Sequence, residues 1–334
     1  MKLHLDKKLF RQAVQFTSDQ MQIPAIFVEK DYWVTYALFI IFNDKIGSDT
    51  VFKGGTALSK CYNIIERFSE DIDLVVLRRE GESNNKLTAK IRTISSVVSN
   101  ILPEIEIAGL THKMGMNRKT AHTYNKEFKG DFGQIRDAIV VEATWLGYFE
   151  PYTNKSVCSF VGEMMMKNKQ SEIAKEQDLL PFNVLVLEPS RTICEKIMSL
   201  VRFSYGEEPI TDLKNKIRHV YDLNQLLSEK ELLNFLKSKE FDSMLLKVAQ
   251  DDVASFKNNN EWLRNHPVDS MIFGNPEKMW SNLKIVYDSD FKNLVYGSFP
   301  NEAELLNTLI LLCHLRKKGQ NNLVNDSKHL ILPI

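Results

Sequence analysis

Two aspartates, Asp71 and Asp73, stand one residue apart inside the apolar run "DIDLVVL". Strand residues alternate sides, so both project from one face with Cα atoms roughly 7 Å apart, while Ile72, Leu74 and Val76 take the other face and can anchor a core. Uncompensated carboxylates side by side on a half-buried strand are costly, so a positive partner is expected between them. A hard divalent cation, Mg²⁺ or Mn²⁺, suits the pair, because such ions take oxygen ligands from carboxylates, water and substrate phosphates. Upstream, Gly54 and Gly55 in "TVFKGG" fall where a strand turns into a helix. Without Cβ atoms they can adopt positive φ and let a phosphate approach the backbone N–H groups of the helix start. Thr56 follows as a hydroxyl donor or N-cap, and Lys60, one turn later, is within reach of a phosphate or base. Taken singly, an Asp-x-Asp pair is usually a solvated strand edge and a Gly-Gly pair a turn. Their adjacency across one short helix favours a phosphate seat beside a metal-holding pair, with Lys60 evenly divided between that site and a solvated helix face.

The elements that must position these residues are legible in the hydropathy pattern. Leu9, Ala13 and Phe16 recur at helical spacing, and a second apolar run, "IFVEKDYWVTYALFIIFN", follows Pro24. "TVFKGG" reads as a strand, "TALSKCYNII" as a helix with Ala57, Cys61, Ile64 and Ile65 on one face, and "NNKLTAKIRTISSVVSNIL" as a further helix. "EIEIAGLTH", "RDAIVVEATW" and "NVLVLE" read as strands. Strands interleaved with helices predict an α/β mixed sheet flanked by helices over residues 1–188. From Pro189 onward, "EPSRTICEKIMSLVRFSY" and "DLKNKIRHVYDLNQLLSEKELLNFLKS" begin a mostly helical region, 189–334. At 334 residues the chain is long enough for two such units.

These motifs resemble a known family. "FKGGTALSKCY…IERFSEDIDLVV" is similar to the signature of the AbiEii-type nucleotidyltransferases, toxin halves of two-gene abortive-infection and toxin–antitoxin systems within the DNA polymerase β-like superfamily. "VEKDYW" at 28–33 resembles the same family. The resemblance implies a nucleotidyltransferase-type fold, triphosphate contacts at Gly54, Gly55 and Thr56, metal ligation by Asp71 and Asp73, and a pocket shaped by Arg67 and Ser69 of the R-x-S-x-D-x-D pattern. It also implies that the region 189–334 contributes to the active-site cleft, with Lys196 of "CEKIMSL" as a phosphate contact and Asp222 of "IRHVYDLNQL" as its positioning partner, although His219 replaces the usual acidic residue after Arg218. From spacing alone, Lys196 reads as a solvated neighbour of Ile197, and Asp222 as an i,i+4 partner of Arg218. Superfamily members often use a third carboxylate; Glu142 in "IVVEATW" is the candidate, Asp137 a weaker rival, and a cross-sheet ion pair the other reading of Glu142.

Hydrophobic content of 43% with 26% charged residues is that of an ordinary globular protein, and 43 Lys+Arg balance 43 Asp+Glu, so bulk charge neither favours nor excludes a nucleic-acid partner. Residues 112–130, "HKMGMNRKTAHTYNKEFKG", interleave five Lys/Arg with Tyr124 and Phe128 and suit a phosphate backbone with stacked bases, though such stretches are more often exposed hairpin loops. The four scattered cysteines lack metal spacing, and neither a secretory leader nor an apolar span is legible, which points to a cytoplasmic protein with no membrane partner. The resulting expectation is a metal-dependent nucleotidyltransferase toxin that uses an NTP co-substrate, an RNA acceptor such as tRNA, and a cognate antitoxin. The alternatives are nucleotidylation of a protein hydroxyl, a metal-dependent glycosyltransferase, against which the Gly pair argues, and a silent nucleotide-binding or interaction module.

Overall fold

The computed structural model describes residues 1–130, 135–255, 261–265 and 267–318. They divide into two compact units, Met1–Leu187 and Glu188 onward.

The first unit is built on an eight-stranded mixed sheet. Its strands are β1 (Thr50–Lys53), β2 (Asp71–Val76), β3 (Glu104–Ile105), β4 (His112–Lys113), β5 (Asn117–His122), β6 (Ile139–Thr144), β7 (Tyr152–Val157) and β8 (Phe182–Leu187). The spatial order is β3-β5-β6-β2-β1-β8-β7, with β4 paired to β5 as a hairpin. At the centre, β2 runs antiparallel to β1 and parallel to β6. Phe52, Ile72, Leu74, Val76, Val141 and Ala143 share one face and are almost completely buried. Arg118 on that same face reaches Ser95 of α4 (Asn84–Ser99), with Nε donating to Oγ at 2.5 Å, so α4 covers the apolar side. The opposite face carries Asp71, Asp73, Lys53, Glu142 and Lys119.

Two helices precede the sheet, α1 (Lys7–Met21), capped by Asp6, and α2 (Ala25–Asn43). α2 is apolar nearly all round and buried, as such a helix must be. Its three consecutive charged residues are buried too, and each ties a different segment to the helix. Glu29 accepts the N–H groups of Glu127 and Phe128 at 2.7 and 3.1 Å. Lys30 donates to the carbonyls of Arg136 and Ala138. Asp31 accepts the Phe160 N–H at 2.8 Å and pairs with Lys60 at 2.5 Å. The "VEKDYW" segment is therefore a three-way clamp that fixes the backbone around the sheet.

Three expectations are corrected here. The helix after Gly54 ends at Lys60, not Ile65, because Asn63 takes a left-handed φ of 53° and turns the chain. "EIEIAGLTH" supplies only the two-residue strand β3 and the first residue of β4. Residues 117–122 of the basic stretch form β5, whose Thr120, Ala121 and His122 are buried.

Helices α5 (Phe160–Lys167) and α6 (Ser171–Glu176) precede β8 in the first unit. The second unit is helical: α7 (Pro189–Phe203), α8 (Pro209–Asn215), α9 (Ile217–Ser228), α10 (Lys230–Leu236), α11 (Lys239–Ser255), α12 (Met271–Gly274), α13 (Pro276–Val286) and α14 (Glu302–Lys318). Ile193, Ile197, Leu200 and Val201 of α7 face its core with Val220, Leu223 and Leu226 of α9. Among the described residues no helix is long and apolar enough to cross a membrane.

Candidate active site

The site grows from one row of cross-strand neighbours on the open face of the sheet. In register, Lys53 of β1 sits opposite Asp73 of β2, Asp73 beside Glu142 of β6, and Glu142 opposite Lys119 of β5. Asp71 lies two residues before Asp73 on the same face. The row thus sets two adjacent carboxylates between two ammoniums, but the carboxylates are not held equally. Glu142 is fully committed: Lys119 donates to it at 2.7 Å and Asn117 at 3.0 Å. Burial would raise the Glu142 carboxyl, yet these two contacts hold it below its ordinary value, so it is ionised. Asp73 has no such partner among the described residues, and neither a hydrogen bond nor an ion pair reaches its carboxylate. Removal from water, with Asp71 and Glu142 adding repulsion, pushes its carboxyl up to about 7.

The glycine turn lies directly against this carboxylate. Gly54 has φ +81°, and a Cβ built there would stand 2.2 Å from Oδ2 of Asp73. A Cβ on Gly55 would stand 2.7 Å from Nη2 of Arg67 and 3.2 Å from Oγ of Ser69. Both glycines, Arg67, Ser69 and Asp73 are therefore one packed cluster at the start of α3 (Gly54–Lys60). Thr56 belongs to its scaffold: the hydroxyl donates to the Asp71 carbonyl at 2.6 Å and lies 2.9 Å from Ser69 Oγ. With its single proton directed at the Asp71 carbonyl, Thr56 anchors α3 on β2. Arg67 is buried and donates to the Phe68 carbonyl at 3.0 Å.

The structure does not bring Lys60 into the cluster. Its ammonium pairs with Asp31 and donates to the Cys158 carbonyl at 3.1 Å, with only 6% of the side chain exposed. Both the phosphate-reaching role and the solvated helix face give way to this buried ion pair. Asp137, the rival third carboxylate, pairs with Lys126 instead. The basic stretch is likewise occupied, since Lys113 pairs with Glu104, Lys119 with Glu142, and Tyr124 stacks on Trp33.

Sequence reasoning missed Arg136. Its Nη1 lies 3.3 and 3.5 Å from the two oxygens of Asp71 and 3.5 Å from Glu70. No local pattern marks it, because it reaches Asp71 from the segment before β6, sixty-five residues away.

The donor set fits a divalent ion. Mg²⁺ typically takes one or two carboxylates and completes its shell with water and phosphate oxygens. An unpartnered, repelled Asp73 beside Asp71, over a cradle that a single methyl would fill, meets that description. No group of three His, Cys, Asp or Glu ligands able to hold a metal occurs among the described residues.

In the helical unit, Lys196 of α7 donates to Asp222 of α9 at 2.6 Å, with 7% and 0% of their side chains exposed. The solvated reading of Lys196 is thereby replaced by a buried pair.

A family model described as "Nucleotidyl transferase AbiEii toxin, Type IV TA system" matches residues 36–293. No curated protein matches the chain. Similar solved structures include MenT4, a nucleotidyltransferase toxin from Mycobacterium tuberculosis, at 17% identity and TM-score 0.47, covering 90% of this chain and 98% of that one. JHP933 from Helicobacter pylori is similar at 14% identity and TM-score 0.44, covering 91% and 97%. With the family model spanning well over half of its residues, the chain belongs to the AbiEii nucleotidyl transferase toxin family.

Proposed function

We propose that the protein transfers a nucleotide from an NTP to an RNA acceptor, the 3′ end of a tRNA, in a metal-dependent reaction, and that a cognate antitoxin restrains it. The observation that carries this reading is the Asp73 carboxylate, which no described residue hydrogen-bonds or ion-pairs, lying beside Asp71 and against Gly54. The acceptor and the antitoxin rest on the family alone.

The reaction forms a bond from an acceptor hydroxyl oxygen to the α-phosphorus and breaks the bond from that phosphorus to the β-phosphate oxygen, releasing pyrophosphate and the hydroxyl proton. Asp71 and Asp73 would hold the metal, which supplies charge neutralisation at the attacking and leaving oxygens. Gly54 and Gly55 leave room for the triphosphate to meet the backbone, where any side chain would collide with Asp73 or Arg67. Glu142, ionised by Lys119, keeps a negative charge beside Asp73 and so sharpens the preference of the row for a cation. Thr56 fixes the spacing between the glycine turn and β2. The roles of Lys196 as a phosphate contact and of Asp222 as its positioning partner rest on the family resemblance; within the helical unit the two form a buried pair at 2.6 Å.

Incubation with each α-labelled NTP, total tRNA and Mg²⁺ tests the reading. Label is expected in the tRNA, and to be lost in Asp71→Asn and Asp73→Asn. Absence of transfer with every nucleotide, or undiminished transfer in both variants, rejects it. Label migrating with protein would move the acceptor to a protein hydroxyl.

A further inference from the structure

Arg136 is held in an unusual way. Its backbone is pinned at both polar groups: the carbonyl accepts the buried Lys30 ammonium, and the N–H donates to Glu70 Oε1 at 3.3 Å. Glu70 is itself almost wholly buried, with 2% of its side chain exposed. The side chain, in contrast, is 43% exposed, and its contacts with Glu70 and Asp71 are long, at 3.3 to 3.5 Å. Close charge-assisted bonds between arginine and carboxylate run shorter, near 2.7–2.9 Å. The residue is thus a cation on a rigid root with a loosely engaged head, and that head rests on one of the two aspartates assigned above to metal.

Two positive groups cannot share Asp71 comfortably. A divalent ion arriving there would repel the guanidinium, whose long contacts and half-exposed position cost little to break. Lys30 and Glu70 would still hold the root in place, so the head would swing on its own side chain and stay beside the site. The chemistry within its reach is then the triphosphate, whose oxygens a planar guanidinium grips two at a time.

We propose, resting on the metal and triphosphate reading above, that Arg136 is a site-keeper for Asp71: its guanidinium neutralises that carboxylate before the ion enters, then transfers to the nucleotide's phosphates once the ion takes its place. The residue therefore opposes metal binding alone and favours metal with triphosphate.

The test uses the full chain, Mn²⁺ titrated by electron paramagnetic resonance, and inorganic tripolyphosphate added with Mn²⁺ and followed by calorimetry. Arg136→Met should bind Mn²⁺ about two- to fivefold tighter than wild type, the scale set by a half-exposed ion pair, with the gain shrinking at high salt. The same variant should bind tripolyphosphate in saturating Mn²⁺ about tenfold more weakly, because a bidentate charged contact is lost. Arg136→Lys should restore the wild-type Mn²⁺ affinity and only part of the tripolyphosphate affinity. Thermal melting of each variant identifies any loss of fold. Unchanged or weaker Mn²⁺ binding in a folded Arg136→Met overturns the proposal, as does undiminished tripolyphosphate binding. If Asp71→Asn and Asp73→Asn also bind Mn²⁺ like wild type, the metal reading itself has failed and the site-keeper falls with it. If they bind weakly while Arg136→Met matches wild type, only the site-keeper fails.

Discussion

Gly54→Ala separates two effects that usually arrive together. The backbone there has φ +81°, where an L-residue with a Cβ costs about 1–2 kcal/mol, partly offset by about 0.4–1 kcal/mol of unfolded-state entropy lost with the glycine. The added methyl would also stand 2.2 Å from Asp73 Oδ2, so the carboxylate must retreat by roughly 1 Å or the turn must shift. A displacement of that size at a reacting centre can cost about 10²-fold in rate. Gly81→Ala supplies the control: φ is +77°, and a Cβ there meets nothing within 4 Å. Urea unfolding should therefore show similar losses for the two variants, about 1 kcal/mol or less, if the turn at Gly54 absorbs the methyl by moving Asp73. Label transfer under saturating Mg²⁺ should fall about a hundredfold in Gly54→Ala alone. A folded Gly54→Ala within about threefold of wild-type transfer, or a Gly81→Ala equally impaired, would refute the link between the glycine turn and Asp73.

Lys60→Met should destabilise the fold by about 3–5 kcal/mol, because it strands the buried Asp31 carboxylate, and Asp31→Asn in the same chain should recover part of the loss; denaturant melts read both. Lys196→Met should act similarly in the helical unit through Asp222, while Lys196→Met with Asp222→Asn should regain stability without regaining label transfer. Glu82 supplies a pH prediction. The Arg79 N–H, then the Lys90 and Lys86 ammoniums, hold its carboxyl down at about 2. With the folded value below the unfolded one, the stabilisation is present above the ordinary carboxylate range and is lost as pH falls through about 2. The stability gap between wild type and Lys90→Met should accordingly narrow on acidification, as measured by urea midpoints from pH 6 to pH 2.5.

The parts of the site that sequence reveals are those built from local spacing. Asp71 and Asp73 share a face because strands alternate, and the glycine turn precedes α3 because a strand must end before a helix begins. The mixed sheet and the helical second unit follow from hydropathy period alone. What stays hidden depends on distant partners. Lys60 on its short helix reads equally well as site or surface, and only Asp31, on another helix, decides the matter. Strands β5 and β7 escape because "NRKTAH" and "YTNKSV" carry polar residues on both faces, and Lys119 and Arg118 find their partners on β6 and α4. Within the apolar run after Pro24, the buried triplet Glu29, Lys30 and Asp31 finds partners on three distant segments that no local pattern shows.

The claim at the centre of this account is that Asp71 and Asp73 grip a divalent ion against a triphosphate seated over the glycine turn. Anomalous diffraction from crystals grown with Mn²⁺ and a non-hydrolysable α,β-linked NTP analogue measures it directly. The account predicts an Mn²⁺ peak about 2.1 Å from a carboxylate oxygen of each aspartate, shared with phosphate oxygens lying beside Gly54 and Gly55. An analogue bound away from the glycine turn, or an ion held without either aspartate, would contradict it.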